Sequence, residues 1–106
     1  MTYYHASLTE LAPGTLIEIG HPANFNSVPM AWVYCADNWD AAVFWADFLT
    51  GETMADRLGY WPEATIYEVE PTGYLEPDPW CIYNDVPGCW QSKAPLRIVK
   101  EVCKWK

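Results

Sequence analysis

Positive charge is scarce in this chain: six Lys and Arg stand against fourteen Asp and Glu, for a net charge of −8. The imbalance is uneven. Residues 1–92 hold thirteen acids and a single base, Arg57, while residues 93–106 hold five bases and one acid, Glu101. Such a field repels phosphate backbones and anionic lipid, which argues against general nucleic-acid or membrane binding. The basic run of Lys100, Lys104 and Lys106 is short and falls at a predicted strand, so it reads as a solvated sheet edge. Long apolar runs are missing too: no stretch approaches the roughly eighteen residues of a membrane span, and no basic-then-apolar leader opens the chain. The four cysteines, Cys35, Cys81, Cys89 and Cys103, form no Cys-x-x-Cys pair and have no His at ligand spacing. No metal site is therefore expected, and free thiols in a reducing cytoplasm are. The Gly-x-x-x-x-Gly-Lys loop, the Gly-x-Ser-x-Gly elbow and the His-Glu-x-x-His helix are all lacking, which removes support for the chemistries they serve. Repeats and low-complexity segments are also missing.

What remains is a chain of 106 residues, 51% hydrophobic, enough for one core and one domain spanning 1–106. Aromatics are plentiful at 16%, with seven Trp and seven Tyr. That excess suits either aromatic anchoring of a small core or a pocket for a flat ligand. Strands are predicted at Thr2–Ser7, Thr15–Ile19, Ala31–Ala36, Ala64–Val69, Trp80–Tyr83 and Leu96–Cys103, from their β-branched and aromatic make-up. Gly20 to Pro29 reads as a loop. Asp37 or Asn38 is placed to cap a helix running to about Leu49, with Trp39, Ala42, Val43, Trp45, Ala46 and Leu49 on its buried face and Gly51 ending it. Residues 52–62 read as an insertion holding one irregular helical turn. Five to six short strands with one main helix make an α+β fold, its sheet mixed or antiparallel. The alternating βαβ units of the mononucleotide folds are not there.

Three residues are candidates for chemistry: His5 ending the first strand, Tyr34 inside the central one, and Asp78 between Pro77 and Pro79. Proline fixes its own φ and biases its predecessor toward extended backbone, so Asp78 sits on a stiff segment leaving a strand end. Taken alone, it reads as a solvated turn, and His5 as a structural histidine.

Their order along the chain changes that reading. Tyr4-His5-Ala6-Ser7 and Leu11-Ala12-Pro13-Gly14-Thr15-Leu16-Ile17 open the chain. Val33-Tyr34-Cys35-Ala36 with Asp40-Ala41-Ala42-Val43 follows. Ile66-Tyr67-Glu68-Val69-Glu70-Pro71-Thr72-Gly73 leads into Glu76-Pro77-Asp78-Pro79, and Pro87-Gly88 and Ala94-Pro95-Leu96-Arg97-Ile98-Val99 complete the series. In these segments and their order the chain resembles the rifamycin (rifampin) ADP-ribosyltransferases. The resemblance implies an ADP-ribosyltransferase-like fold and a mono-ADP-ribosyltransferase using NAD as donor substrate. The acceptor it implies is a hydroxyl of a rifamycin-like small molecule. It further implies that His5 binds a ribose hydroxyl of NAD, that the backbone at Ala6 meets the nicotinamide amide, that Tyr34 stacks on the nicotinamide ring and that Asp78 is the catalytic acid. Ala6 stands where the family has Gly. Pro77 and Trp80 replace an acid and an Asn, Trp90-Gln91-Ser92-Lys93 replaces a Ser-Tyr-Arg-like stretch, and the 52–62 segment is extra. Two other expectations accompany this one: the same chemistry on a host-protein acceptor, as in a phage- or toxin-type effector, and a non-catalytic binding module on the same fold. A monomer is expected in each case.

Overall fold

The computed structural model describes residues 1–20 and 31–105; beyond Gly20, the loop expected up to Pro29 lies outside the described residues, as does Lys106. The chain runs β1 (Tyr3–Ser7), β2 (Leu16–Ile17), β3 (Val33–Ala36), α1 (Trp39–Thr50), α2 (Glu52–Leu58), β4 (Ala64–Pro71), β5 (Glu76–Pro77), α3 (Pro79–Tyr83), β6 (Cys89–Ser92) and β7 (Leu96–Trp105). The fold is α+β, as the sequence implies. Its single sheet has seven strands in the order β2-β7-β4-β1-β3-β6-β5. Every pairing described is antiparallel.

Four sequence expectations need correction. Trp80–Tyr83 is not a strand but the body of α3, because Asp78 caps it and Pro79 occupies its first turn. A cap and a first-turn proline nucleate a helix that aromatic β-propensity alone argues against. Residues 52–58 form a regular helix, α2, closed by Gly59 in the left-handed region at φ 79° rather than one irregular turn. The predicted Thr15–Ile19 strand shortens to Leu16–Ile17. Two further strands, β5 and β6, lie outside the sequence expectation: β5 has only two residues, and β6, Cys89-Trp90-Gln91-Ser92, holds no β-branched residue. Pro77 is tolerated in β5 because that strand lies at the sheet edge.

Strand alternation divides the core. One face carries Ile17, Val33, Cys35, Tyr67, Val69, Leu96 and Ile98, with Tyr3 and Trp90 against them. The other face is covered by α1. Asn38 caps this helix, its Oδ1 accepting from Ala41 N at 2.8 Å. Ala42 and Ala46 lie directly on Ile66, and Ala36 and Ala41 pack with Cys81 and Cys89. Alanines at these positions let the helix axis approach the sheet closely. Trp39, expected on the buried face, is 40% exposed and instead packs edge-on against Tyr4 and Trp105, with ring centroids 5.5 and 6.4 Å away.

Two motifs from the sequence prove to brace one another. Glu70 pairs with Arg97 at 2.7 Å, and Thr72 Oγ1 donates to the Pro95 carbonyl at 2.6 Å. A Cβ added at Gly73 would meet the Ala94 methyl at 2.5 Å, so only glycine fits there. The Glu-Pro-Thr-Gly and Ala-Pro-Leu-Arg strings are thus two halves of one junction between the end of β4 and the start of β7.

Candidate functional site

The sheet is weakly joined at one place. β1 pairs β4 along its whole length and β3 pairs β6 along its whole length, but β1 and β3 share only the registered pair Tyr4↔Ala36. Beyond that pair the Tyr34 carbonyl is met not by a strand N–H but by a side chain, His5 Nδ1, at 2.8 Å. A carbonyl only accepts, so Nδ1 carries the proton of this bond, and in the neutral imidazole Nε2 is then the acceptor nitrogen. His5 and Tyr34, predicted as site residues from distant segments, therefore flank one seam. Alternation sends them to opposite faces: His5 pairs Tyr67 on the Val33–Cys35 side, whereas Tyr34 shares the α1 side with Ala36.

Tyr34 begins a row that crosses three strands. It is paired with Gln91 on β6, which is paired with Glu76 on β5. Gln91 is buried, and its Nε2 donates to Glu76 Oε1 at 3.1 Å. Neither residue was singled out from the sequence for this role. The usable signal was the Glu76-x-Asp78 spacing, which in extended backbone places both carboxylates on one face.

Asp78 is not a solvated turn residue: it is 5% exposed. Its backbone N–H donates to the Cys89 carbonyl at 3.1 Å, its Oδ1 accepts from Trp80 N at 2.9 Å, and its Oδ2 accepts from the Cys81 thiol at 3.5 Å. The same carboxylate acts electrostatically on Tyr34. Burial raises the Tyr34 phenol above its ordinary value, and the Asp78 charge raises it further. The phenol accordingly stays protonated and neutral at physiological pH, as a ring offered for stacking and an O–H for donation. Each Asp78 oxygen uses one lone pair in these bonds. The structure thus connects His5 to Tyr34 by a hydrogen bond and Tyr34 to Asp78 by charge.

Ala6, the fourth predicted residue, points its methyl into the core. It packs against the cluster of Ala42, Ala46 and Ile66 and against that of Leu49, Met54 and Ala64. The atom that distinguishes it from glycine is spent on packing beneath α1.

Three thiols stand near Asp78 or the strands beside it, and all are buried. Burial, with the Cys89 and Asp78 groups adding, holds Cys81 well above the ordinary thiol range. Cys35 is pushed up to about 12 by burial, then by Asp37 and Cys89. The folded chain therefore keeps the Cys35 proton at pH values where the unfolded chain has lost it. Stability should fall as pH rises from about 9 toward 12, by about 1.4 kcal/mol per pH unit for this proton. Urea midpoints at about pH 8 and about pH 10.5 check this, with a shallower fall expected for Cys35→Ala.

Beside α3, the solvent side of α1 presents an aromatic surface. Phe44 and Trp45 lie 5.2 Å apart, Trp45 and Phe48 6.0 Å, and Trp45 and Trp80 5.4 Å. Phe44, Phe48 and Trp80 are all exposed. Trp80 links this surface to Asp78, whose carboxylate its backbone N–H holds.

No group of His, Cys, Asp and Glu among the described residues could hold a metal ion, and no described helix is long and apolar enough to cross a membrane. A family model described as rifampin ADP-ribosyl transferase matches residues 3–105. No curated protein matches the chain.

Proposed function

The chain belongs to the rifampin ADP-ribosyl transferase family, and from that premise we propose that it takes ADP-ribose from NAD and joins it to a hydroxyl of a rifamycin-like small molecule. Two links support this reading: His5, at the β1–β3 seam, is bonded to the backbone carbonyl of Tyr34, and the charge of Asp78 acts on the Tyr34 phenol. In this reading His5 Nε2 takes a ribose hydroxyl and the neutral Tyr34 ring stacks on the nicotinamide.

The chemistry asks for little more. The bond between nicotinamide and ribose breaks with its electron pair going to the nicotinamide nitrogen, which becomes neutral. Positive charge develops on the ribose, and a carboxylate already fixed by a strand bond and a helix cap stabilises it without reorganising. The acceptor oxygen bonds to the ribose carbon and its proton leaves to a base; Asp78 is the acid placed to orient or receive it. The aromatic surface of Phe44, Phe48 and Trp80 offers the flat apolar body of such an acceptor a face to lie on. The inward methyl of Ala6 supports retention of donor binding, since it adds no bulk at the seam.

Incubation with NAD and rifampicin, followed by mass spectrometry, tests the reading. Nicotinamide release and an acceptor heavier by one ADP-ribose are expected. Labelled NAD in a cell lysate provides the contrast: a discrete labelled protein, with rifampicin unmodified, would move the acceptor to a protein. No nicotinamide release with any acceptor would remove the enzymatic reading.

A further inference from the structure

Donor binding as proposed above leaves one charge unanswered. A dinucleotide brings a pyrophosphate with two negative charges to a surface dominated by carboxylates, and this region of the sheet must supply a cation. Most bases are engaged or placed elsewhere. Arg97 is paired with Glu70, and Lys104 lies within ion-pair distance of both Glu10 and Glu101. Arg57 belongs to α2, and Lys100 lies on β7 opposite Glu68.

Lys93 is different. It follows β6 directly and has no carboxylate partner among the described residues. Its Nζ donates to the Ala31 carbonyl at 2.7 Å and lies 4.0 Å from the centre of the Trp32 ring. The registered pairs Tyr34↔Gln91 and Val33↔Ser92 lead in the next step to Trp32 opposite Lys93, and the ring contact shows that the two do meet. Trp32 directly precedes β3, two residues and at most about 7 Å along the chain from Tyr34. An exposed ammonium is thus held by a backbone carbonyl and a ring, just beyond the paired ends of β3 and β6. One ammonium hydrogen is committed to Ala31 and two remain.

We propose that Lys93, held by Trp32, is the binding site for the pyrophosphate of the dinucleotide donor. The inference rests on the NAD reading and adds to it the residue that meets the anion. Trp32 holds the ammonium by its ring quadrupole rather than by a carboxylate, so the cation is ordered without being neutralised.

Calorimetry on the full chain with ADP-ribose, and with nicotinamide riboside, which has no phosphate, tests this. Lys93→Gln should weaken ADP-ribose about tenfold or more, as expected for losing a charge-assisted hydrogen bond. It should also flatten the salt dependence of that affinity and leave nicotinamide riboside unchanged, while Lys93→Arg restores most of the ADP-ribose affinity. Equal ADP-ribose affinity in wild type and Lys93→Gln would overturn the role of Lys93 and leave the donor reading standing. Equal losses for both ligands would overturn it as well, since they would mark a structural effect. A wild-type chain that binds neither NAD nor ADP-ribose would bring down both.

Discussion

Asp78→Asn is expected to lower ADP-ribose transfer by about 10²–10⁴-fold while leaving the thermal midpoint close to that of the wild type. The contrast follows from the cap that this carboxylate forms and the charge that the proposed reaction asks of it. As the N-cap of α3 it needs only an oxygen that accepts from Trp80 N, and asparagine provides that about as well as aspartate. As the acid of the proposed reaction it would need a full negative charge, which asparagine lacks. Asp78→Ala should lose both functions, adding about 0.5–2 kcal/mol of destabilisation for the missing cap. Steady-state rates and melting curves on the two variants separate the roles. If Asp78→Asn kept wild-type transfer, Asp78 would be a capping residue and the acid would have to be sought elsewhere, with Glu76 in the adjoining row the next to examine.

Ile66→Ala should be the most destabilising simple truncation near the seam, costing about 2–5 kcal/mol. Ile66 is fully buried on β4, where it is paired with Ala6 on one side and Cys103 on the other, and it takes the weight of Ala42 and Ala46 from α1. The α1 residues over it are alanines with no length to reach into a cavity, so the hole is expected to stay open. Against a total stability of about 5–15 kcal/mol for a domain of this kind, that loss is large. The urea midpoint should fall at unchanged m-value. Ile66→Val, which removes one methylene, should cost about 0.5–1.5 kcal/mol and keep activity. A midpoint shift for Ile66→Ala no larger than that of Ile66→Val would mean that α1 settles onto the sheet more freely than its alanine contacts suggest.

The parts legible in the sequence share a physical character: their cause lies within a few residues. Asn38 before an apolar-periodic run and Gly51 after it set the limits of α1. The β-branched and aromatic runs around Val33, Ile66 and Ile98 became strands whose buried residues form the core. Trp80–Tyr83 misled because its composition favours a strand, while its fate was decided by the two residues before it, Asp78 as cap and Pro79 as first turn. β5 escaped notice because two residues hold no periodicity, and β6 because it lacks β-branched residues; both exist by pairing with neighbouring strands.

The family motifs are instructive in a different way. Glu70, Thr72 and Gly73 read as a strand end leading to an acid, yet in the fold they clasp Arg97, Pro95 and Ala94. That clasp ties the strand leading toward Asp78 to the start of β7. Two strings that look independent along the chain are a single structural device.

By itself the sequence determined the α+β class, the main helix with Asp37 or Asn38 as its cap, the segments that form the core strands, and the family through motifs kept in order along the chain. These follow from local propensity, periodicity and residue identity, which need no third dimension. Only the tertiary structure decided that β1 and β3 part after one pair, that His5 bridges the opening to the Tyr34 carbonyl, that Asp78 is buried where its charge acts on Tyr34, and that Lys93 rests over Trp32. Each of these depends on contacts between residues 29 or more apart or on the register of paired strands. A register is chosen by burial across the whole sheet, and one residue of slip would turn every side chain to the other face.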